Sequence, residues 1–271
     1  MQINLKNRPD LNNFSLDIIF NQYVSVGSDW NHENCTSFFS RLYYIESGCG
    51  RLYHNGKETL LLPGNIYFIP TGTCFSYHCT DETTMKKLFF HLLLIYTKEQ
   101  HDIFSDIAPG IYSITADEAN SYNIFKLYHN DDYSSLLSLK SIIFNTLGAF
   151  YDKYNWNNVE IKQYSRTVHK IMEYIQTHLS MSLTIKEIAD ALFLSEGTIS
   201  KVFKTEKGIT IGEYIDTLIF TKANHLLLKD DYTLKDISHE LGFCDQFYFS
   251  RRFKEKFGHS PQQYRKTSVL F

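Results

Sequence analysis

The chain lacks the features that mark disulfide-stapled, membrane-embedded and metal-binding proteins. It has five cysteines with no Cys-x-x-Cys pair, and it has no His-x-His. Cysteines that are odd in number and scattered are typical of reduced thiols rather than of a disulfide framework or a zinc site. The longest apolar run, residues 88–96, is too short to cross a bilayer as a helix. The polar N-terminus lacks the apolar region of a signal peptide, so we expect a cytoplasmic protein with no membrane partner.

Excess positive charge is also lacking overall, but charge is unevenly distributed. The formal net charge is −3, which by itself argues against nucleic-acid binding. Residues 241–267, however, carry six Lys or Arg against two Asp or Glu. A local basic face is the electrostatic footprint of a nucleic-acid-binding protein, although a solvated helix face gives the same count. Charge alone does not decide between the two.

The C-terminal part contains one pattern twice. The matching pairs are Thr184 and Thr233, Ile188 and Ile237, Leu192 and Leu241, Phe203 and Phe253, and Gly208 and Gly258. Each copy has an amphipathic helix, a break, and a second helix with a buried Phe face and a basic outer face. This predicts helix-turn-helix units at 183–208 and 233–258. Any packed helix pair gives similar spacing, so the duplication carries the prediction.

The outer faces of the two second helices supply the candidate DNA-binding residues. In the major groove Arg can grip guanine, Gln can grip adenine, and an apolar ring can contact the thymine methyl. Arg251, Gln246 and Phe247 offer one of each, so we predict stronger base readout from the second unit. The full set is Gly197, Thr198, Ser200, Lys201, Lys204, Gln246, Phe247, Tyr248, Ser250, Arg251 and Lys254. A helix over 211–228, about 27 Å long, would hold the two units about one DNA turn apart.

The first 110 residues predict short antiparallel strands. Apolar runs from Arg41 onward alternate with turn sequences at 48–50, 55–56, 63–64 and 71–73. Asn-Gly at 55–56 is a strong hairpin signal. Regular short strands favour a small barrel or jelly roll, whose interior suits a small ligand. The candidate effector-binding residues are Trp30, Arg41, Tyr43, Phe75 and Tyr77. Each of them also fits ordinary packing.

A broadly apolar helix is predicted over 134–154. Leu136, Ile143, Leu147 and Phe150 recur along it at spacings of three, four or seven. A helix this apolar must bury two sides or find a partner. Two interpretations therefore stay open: packing on the barrel alone, or dimerisation through this helix.

Both halves resemble AraC/XylS-type transcription regulators. The resemblance rests on Y-x-I-E-S-G-C-G-x-L and L-L-P-G-N-I-Y-F-I-P in the first half, and on I-S-H-E-L-G-F, Y-F-S-R-R-F-K and F-G-x-S-P-x-x-Y-R in the second. It implies a cupin-like sensing barrel at 1–110, a helical dimerisation segment and linker at 111–165, and a DNA-binding domain at 166–271. One departure is Ile219, where the family usually has Arg. A phosphate contact or an ion pair of the linker helix is therefore in doubt.

The resemblance implies a two-domain α+β transcription regulator rather than an enzyme, with no catalytic residue, cofactor or metal. Its expected partners are double-stranded DNA, a small effector such as a sugar or another small organic molecule, a second copy in a homodimer, and RNA polymerase. Two alternatives stay open: a metal-dependent cupin enzyme fused to a DNA-binding module, and a regulator whose cupin only dimerises. Against the enzyme, Phe75 stands where metal cupins place His.

Overall fold

The computed structural model describes residues 13–37, 39–79, 84–97, 101–156, 164–227, 231–257 and 260–269. The chain forms two compact units. The first holds the described residues up to 95 and those from 102 to 156, and the second holds those from 164 onward together with the short stretch at 96–101. Antiparallel strands dominate the first unit and helices the second. This confirms the predicted two-domain α+β class.

The N-terminal unit is built from short strands joined by tight turns. The strands are β1 (Phe14–Val26), β2 (Asn31–Cys35), β3 (Ser40–Ser47), β4 (Gly50–His54), β5 (Lys57–Leu61), β6 (Asn65–Ile69), β7 (Phe75–His78), β8 (Met85–Tyr96), β9 (His101–Asp102) and β10 (Tyr112–Thr115). Between β4 and β5, Asn55 and Gly56 both have positive φ, at 48° and 74°. Two positive φ values are what a two-residue hairpin turn requires, so the Asn-Gly prediction is confirmed.

The strands form two sheets that share an apolar interior. One sheet has the order β1-β8-β3-β6-β10 with β9 beside β8, and the other has the order β2-β7-β4-β5. Successive residues of a strand point to opposite faces. On β3, Leu42 and Tyr44 therefore join one core, while Tyr43 and Ile45 join the core shared with the smaller sheet. The predicted barrel is thus a pair of sheets around the second of these cores.

Two helices cover the outer face of the larger sheet. They are α1 (Ile124–Tyr128) and α2 (Tyr133–Lys153). Ile143, Leu147 and Phe150 on α2 are buried in the same core as the sheet residues. The hydroxyl of Tyr44 on β3 donates a 2.8 Å hydrogen bond to Thr146 Oγ1. Residues 111–156 of the segment predicted at 111–165 therefore belong to the N-terminal unit, whereas Tyr164 and Ser165 belong to the second unit. Residues 112–115 form β10.

The burial of α2 corrects the prediction of a dimer interface. Ile143, Leu147 and Phe150 are at most 4% exposed within the single chain. They are not available to a second copy, because the sheet already covers them. Of the four predicted residues only Leu136 is exposed, at 52%.

The C-terminal unit is a run of helices that begin at side-chain caps. The helices are α3 (Arg166–Thr177), α4 (Ile185–Leu192), α5 (Glu196–Lys207), α6 (Ile211–Leu227), α7 (Leu234–Glu240), α8 (Gln246–Phe257) and α9 (Pro261–Val269). At α4, Thr184 Oγ1 accepts from the Glu187 amide, and Glu187 Oε2 accepts from the Thr184 amide at 2.7 Å. The same reciprocal box opens α6, α7 and α9. Each box satisfies amides that have no partner inside the helix.

Candidate DNA-binding interface and effector site

The second helix-turn-helix unit consists of α7, a glycine turn and α8. Gly242 has a φ of +74°, a left-handed conformation that favours glycine. Asp245 then caps α8, because its Oδ1 accepts from the amides of Phe247 and Tyr248 at 2.7 Å each. Ile237 on α7 and Phe249 on α8 are fully buried. Both helices lie within the unit predicted at 233–258.

One face of α8 remains open to solvent. Phe247 is 77% exposed, and Arg251 and Lys254 are exposed as well. The Arg251 guanidinium lies 5.3 Å from the centre of the Tyr248 ring. Ser250 Oγ donates to the carbonyl of Gln246 at 2.7 Å, which leaves its lone pairs for a partner. The predicted residues of the second unit thus share one helix, with the aromatic and cationic groups outward.

The first unit repeats this arrangement, but its outward side chains are smaller and offer weaker contacts to base edges. Ile199 and Phe203 of α5 are fully buried, while Thr198, Lys201 and Lys204 are exposed. Thr198 Oγ1 lies 2.8 Å from the capping Ser195 Oγ. The remaining predicted residues, Gly197 and Ser200, lie on the same helix. The two units therefore present similar surfaces, of which the second carries the guanidinium and the exposed ring.

The residues that hold α8 in place are not among those predicted from the sequence. Arg252 Nη2 donates to Asp216 Oδ2 on α6 at 2.7 Å, and Arg252 Nη1 donates to Tyr248 Oη at 3.3 Å. Arg265 on α9 donates to the carbonyls of Leu227 and Tyr232. These arginines lie 36 to 38 residues from their partners on α6. No local sequence pattern indicates contacts between residues so far apart. Arg265 does belong to one of the motifs on which the family resemblance rests.

The five predicted effector residues converge inside the N-terminal unit. Trp30 and Tyr77 stack with their ring centres 4.5 Å apart, and Phe75 lies 5.9 Å from Tyr77. The Arg41 guanidinium lies 5.0 Å from the centre of the Phe75 ring. Tyr43 is 3% exposed, in the same apolar core.

Lys87 also belongs to this cluster, although it is not among the predicted effector residues. Its Nζ lies 3.8 Å from the centre of the Trp30 ring and 4.3 Å from that of Tyr43. Successive residues of a strand point to opposite faces, so one of two adjacent lysines on β8 must point inward. In the run Met85, Lys86, Lys87 the sequence does not show which lysine faces the interior.

A separate surface cavity of about 220 Å³ opens where β3, β6 and α1 meet, lined by Tyr44, Glu46 and Phe125 among others. None of the five predicted effector residues lines it. In the described ranges, no three His, Cys, Asp or Glu side chains come together in a way that could hold a metal ion. Those ranges also contain no helix with the length and apolar character needed to cross a membrane.

Comparisons with known proteins agree with this architecture. A family model described as a helix-turn-helix domain matches residues 188–267. The chain is similar to the Msm operon regulatory protein of Streptococcus mutans, with 23% identity over 97% of both chains. It is also similar to the raffinose operon transcriptional regulatory protein RafR of Pediococcus pentosaceus, with 25% identity over 83% of this chain and 84% of that one. These relatives are transcription regulators, not enzymes.

One solved structure extends the likeness to the fold of both halves. Unsaturated fatty acid bound ToxT from Vibrio cholerae matches with a TM-score of 0.60 and 14% identity. The match covers 95% of this chain and 96% of that chain. At this identity the likeness concerns the fold.

Proposed function

Because the chain belongs to the AraC/XylS family of transcription regulators, we propose that α5 and α8 read two successive major grooves under the control of a small effector. The observation that carries this proposal is the duplicated helix-turn-helix with one open face on each recognition helix. α6 joins the two units as a rod of about 25 Å, from 17 residues at about 1.5 Å each. That length suits recognition helices one DNA turn apart.

Base readout is proposed to rest mainly on the second unit. Arg251 and Gln246 supply the donors and acceptors for guanine and adenine, and Phe247 supplies the ring for a thymine methyl. In the first unit, Gly197, Thr198, Ser200, Lys201 and Lys204 contribute closer packing and phosphate contacts. Tyr248, Ser250 and Lys254 complete the surface of the second.

Selection of bound fragments from a random DNA pool tests this assignment. We expect two half-sites about 10 base pairs apart for each protein chain. Arg251→Ala should relax the preference at one position and weaken binding by about 1–3 kcal/mol. Lys201→Ala should weaken all sequences alike, and Lys170→Ala on α3 is the control that removes a charge elsewhere. The assignment is wrong if Arg251→Ala keeps the sequence preference while Lys201→Ala loses it.

The paired sheets are proposed to hold the effector among Trp30, Arg41, Tyr43, Phe75 and Tyr77. The names of two relatives refer to the Msm operon and the raffinose operon, and ToxT has been crystallised with an unsaturated fatty acid bound. An effector changes DNA binding only if it prefers one domain arrangement over another. Thermal-shift screening of the full chain against sugars and small organic molecules tests the site. Stabilisation by none of them would favour a regulator whose sheets only dimerise.

Dimerisation is proposed through the outer face of α2. Tyr133, Leu136, Leu137 and Phe144 are 87%, 52%, 68% and 48% exposed along the side of α2 away from the sheet. Sedimentation of Leu137→Glu and Phe144→Glu should show monomers. Leu60→Glu on β5 is the matched control, since Leu60 is an exposed leucine of the same unit. Contact with RNA polymerase is part of the proposal and is tested by transcription in vitro from the selected site.

A further inference from the structure

One lysine inside the N-terminal unit has no acidic partner in the part of the chain that the structure describes. Lys87 is 3% exposed, and its Nζ is surrounded by the rings of Trp30, Tyr43 and Phe89. Within the described ranges, no oxygen accepts a hydrogen bond from it. Burial lowers the pKa of this amine well below its ordinary value, and the nearby Arg41 lowers it further. Among the described residues, the interior therefore offers no carboxylate that would hold this cation.

Arg41 and His91 share the interior with Lys87. Arg41 pairs with His91 across β3 and β8, and Ile45 pairs with Lys87 on the same strands. Residues that differ by two or four positions on a strand share a face. Arg41, His91 and Lys87 are therefore arranged on one inward face of the larger sheet.

Neither Arg41 nor His91 has a carboxylate partner among the described residues. Arg41 Nη2 donates to Cys35 Sγ at 3.2 Å, and its guanidinium otherwise lies 5.2 Å and 5.0 Å from the ring centres of Phe39 and Phe75. His91 Nδ1 is buried without a hydrogen-bond partner in the same part of the chain. Burial, Arg41 and Lys87 together lower the pKa of His91 well below its ordinary value.

Burying Arg41, His91 and Lys87 together lowers the stability of the folded protein, and a core that serves only for packing does not require it. A buried cation is normally paired or replaced by an apolar side chain, because desolvation disfavours charge. A guanidinium has five N–H donors, and one thiol is a weak acceptor for them. Three inward nitrogen groups with unused donor capacity, walled by aromatic rings, match the chemistry of an anionic ligand.

We propose that the interior of the paired sheets binds an organic anion, whose carboxylate or phosphate pairs with Arg41 and Lys87 and whose body packs against Trp30 and Tyr77. The inference rests on the proposed effector role of this interior and names the chemical class of the effector. Trp30 and Tyr77 are only partly buried, and their stacked rings suit a flat body. A sugar acid, a sugar phosphate or an aromatic acid fits, whereas an uncharged sugar leaves the cations unpaired.

Matched probe pairs test this inference on the full chain. The pairs are glucose 6-phosphate with glucose, gluconate with glucitol, and benzoate with benzyl alcohol, each titrated by calorimetry and by thermal shift at constant ionic strength. We expect a charged member to bind at least tenfold more tightly than its uncharged partner. The first pair reports phosphate recognition and the other two report carboxylate recognition.

Two neighbouring lysines provide the variant and its control. Lys87→Met should weaken binding of the charged probe at least tenfold. Lys86→Met removes the same charge from the next residue, which is exposed, and should bind like the wild type. If Lys87→Met does not fold, Arg41→Met carries the same comparison.

The inference is overturned if uncharged probes bind as tightly as charged ones, or if charged probes bind Lys87→Met as tightly as wild type. The absence of binding by every charged probe overturns it too. DNA binding is measured on the same samples by fluorescence anisotropy. Anion binding without any DNA binding would contradict the proposed regulator and leave the anion site intact.

Discussion

Gly242 and Ser180 are so close that a side-chain carbon on Gly242 would lie 1.9 Å from Ser180 Oγ. The Met181 amide beside Ser180 also donates to the carbonyl of Leu241 at 2.8 Å. The turn of the second helix-turn-helix unit therefore packs against the loop that precedes the first. The two helix-turn-helix units are joined at this contact as well as through α6.

Gly242→Ala should destabilise the protein. The new methyl group meets Ser180, and alanine also disfavours the φ of +74° at this position. Together these effects should cost roughly 2 kcal/mol or more, measured by urea unfolding. In a double-mutant cycle, Ser180→Gly should recover the part due to overlap. Simple additivity of the two changes would contradict the contact.

Phe193→Gly should have the opposite effect in the first unit. Phe193 ends α4 in a left-handed conformation with a φ of 55°, and its ring is 94% exposed. Glycine adopts this conformation without the steric cost, and the exposed ring gives up little packing. We expect a gain of about 1 kcal/mol in unfolding free energy. Phe193→Ala is the control, because it removes the ring and keeps the strain.

Substitutions of the neighbouring residues Arg251 and Arg252 should have different effects on stability and on DNA binding. Arg252→Met removes the 2.7 Å ion pair with Asp216, whose side chain is 24% exposed. This should cost about 1 kcal/mol of stability and weaken DNA binding only through the position of α8. Arg251→Met should change stability by less than about 0.5 kcal/mol and relax the sequence preference. Equal stability losses in both variants would contradict the assignment.

Lys87→Met should stabilise the unliganded protein at pH 7. Because the folded-state pKa of Lys87 is lowered, the folded chain binds fewer protons here than the unfolded chain. Wild-type stability should therefore rise with pH up to the ordinary lysine pKa of about 10.4. We expect Lys87→Met to be more stable by roughly 1 kcal/mol or more at pH 7, with the difference shrinking toward pH 10.

Thermal unfolding across this pH range, with Lys86→Met as control, measures the Lys87 effect. The control cancels the titration of groups elsewhere, while Arg41, His91 and Cys79 face the same interior in both variants. A Lys87→Met protein that is less stable than wild type at pH 7 would show that the amine contributes more through its ring contacts than burial costs.

Local signals in the sequence predicted the features that a few neighbouring residues determine. The Asn-Gly turn requires only the backbone geometry of two adjacent residues. The duplicated pattern located both helix-turn-helix units for the same reason. Helix caps and turn residues act within about four positions, so the sequence displays them directly.

The missed features depend on contacts between distant segments. The apolar stripe on α2 gives no sign of which side meets the sheet, so the sequence leaves Ile143, Leu147 and Phe150 open either to packing on the barrel or to dimerisation. Arg252 adjoins Arg251, and only the packing of α8 on α6 distinguishes them. Strand β10 has four residues, too few to show a period of two. Tertiary packing decided each of these cases.

The buried cationic side chains Arg41 and Lys87 have a consequence for the amount of this regulator in a cell. Proteases cleave opened chains, whose population follows the free energy of unfolding. A ligand that binds only the folded chain raises that free energy by an amount set by its concentration relative to its Kd. Because Arg41 and Lys87 have no carboxylate partner among the described residues, the protein should be degraded faster when its anion is scarce. The effector would then set the lifetime of its own receptor.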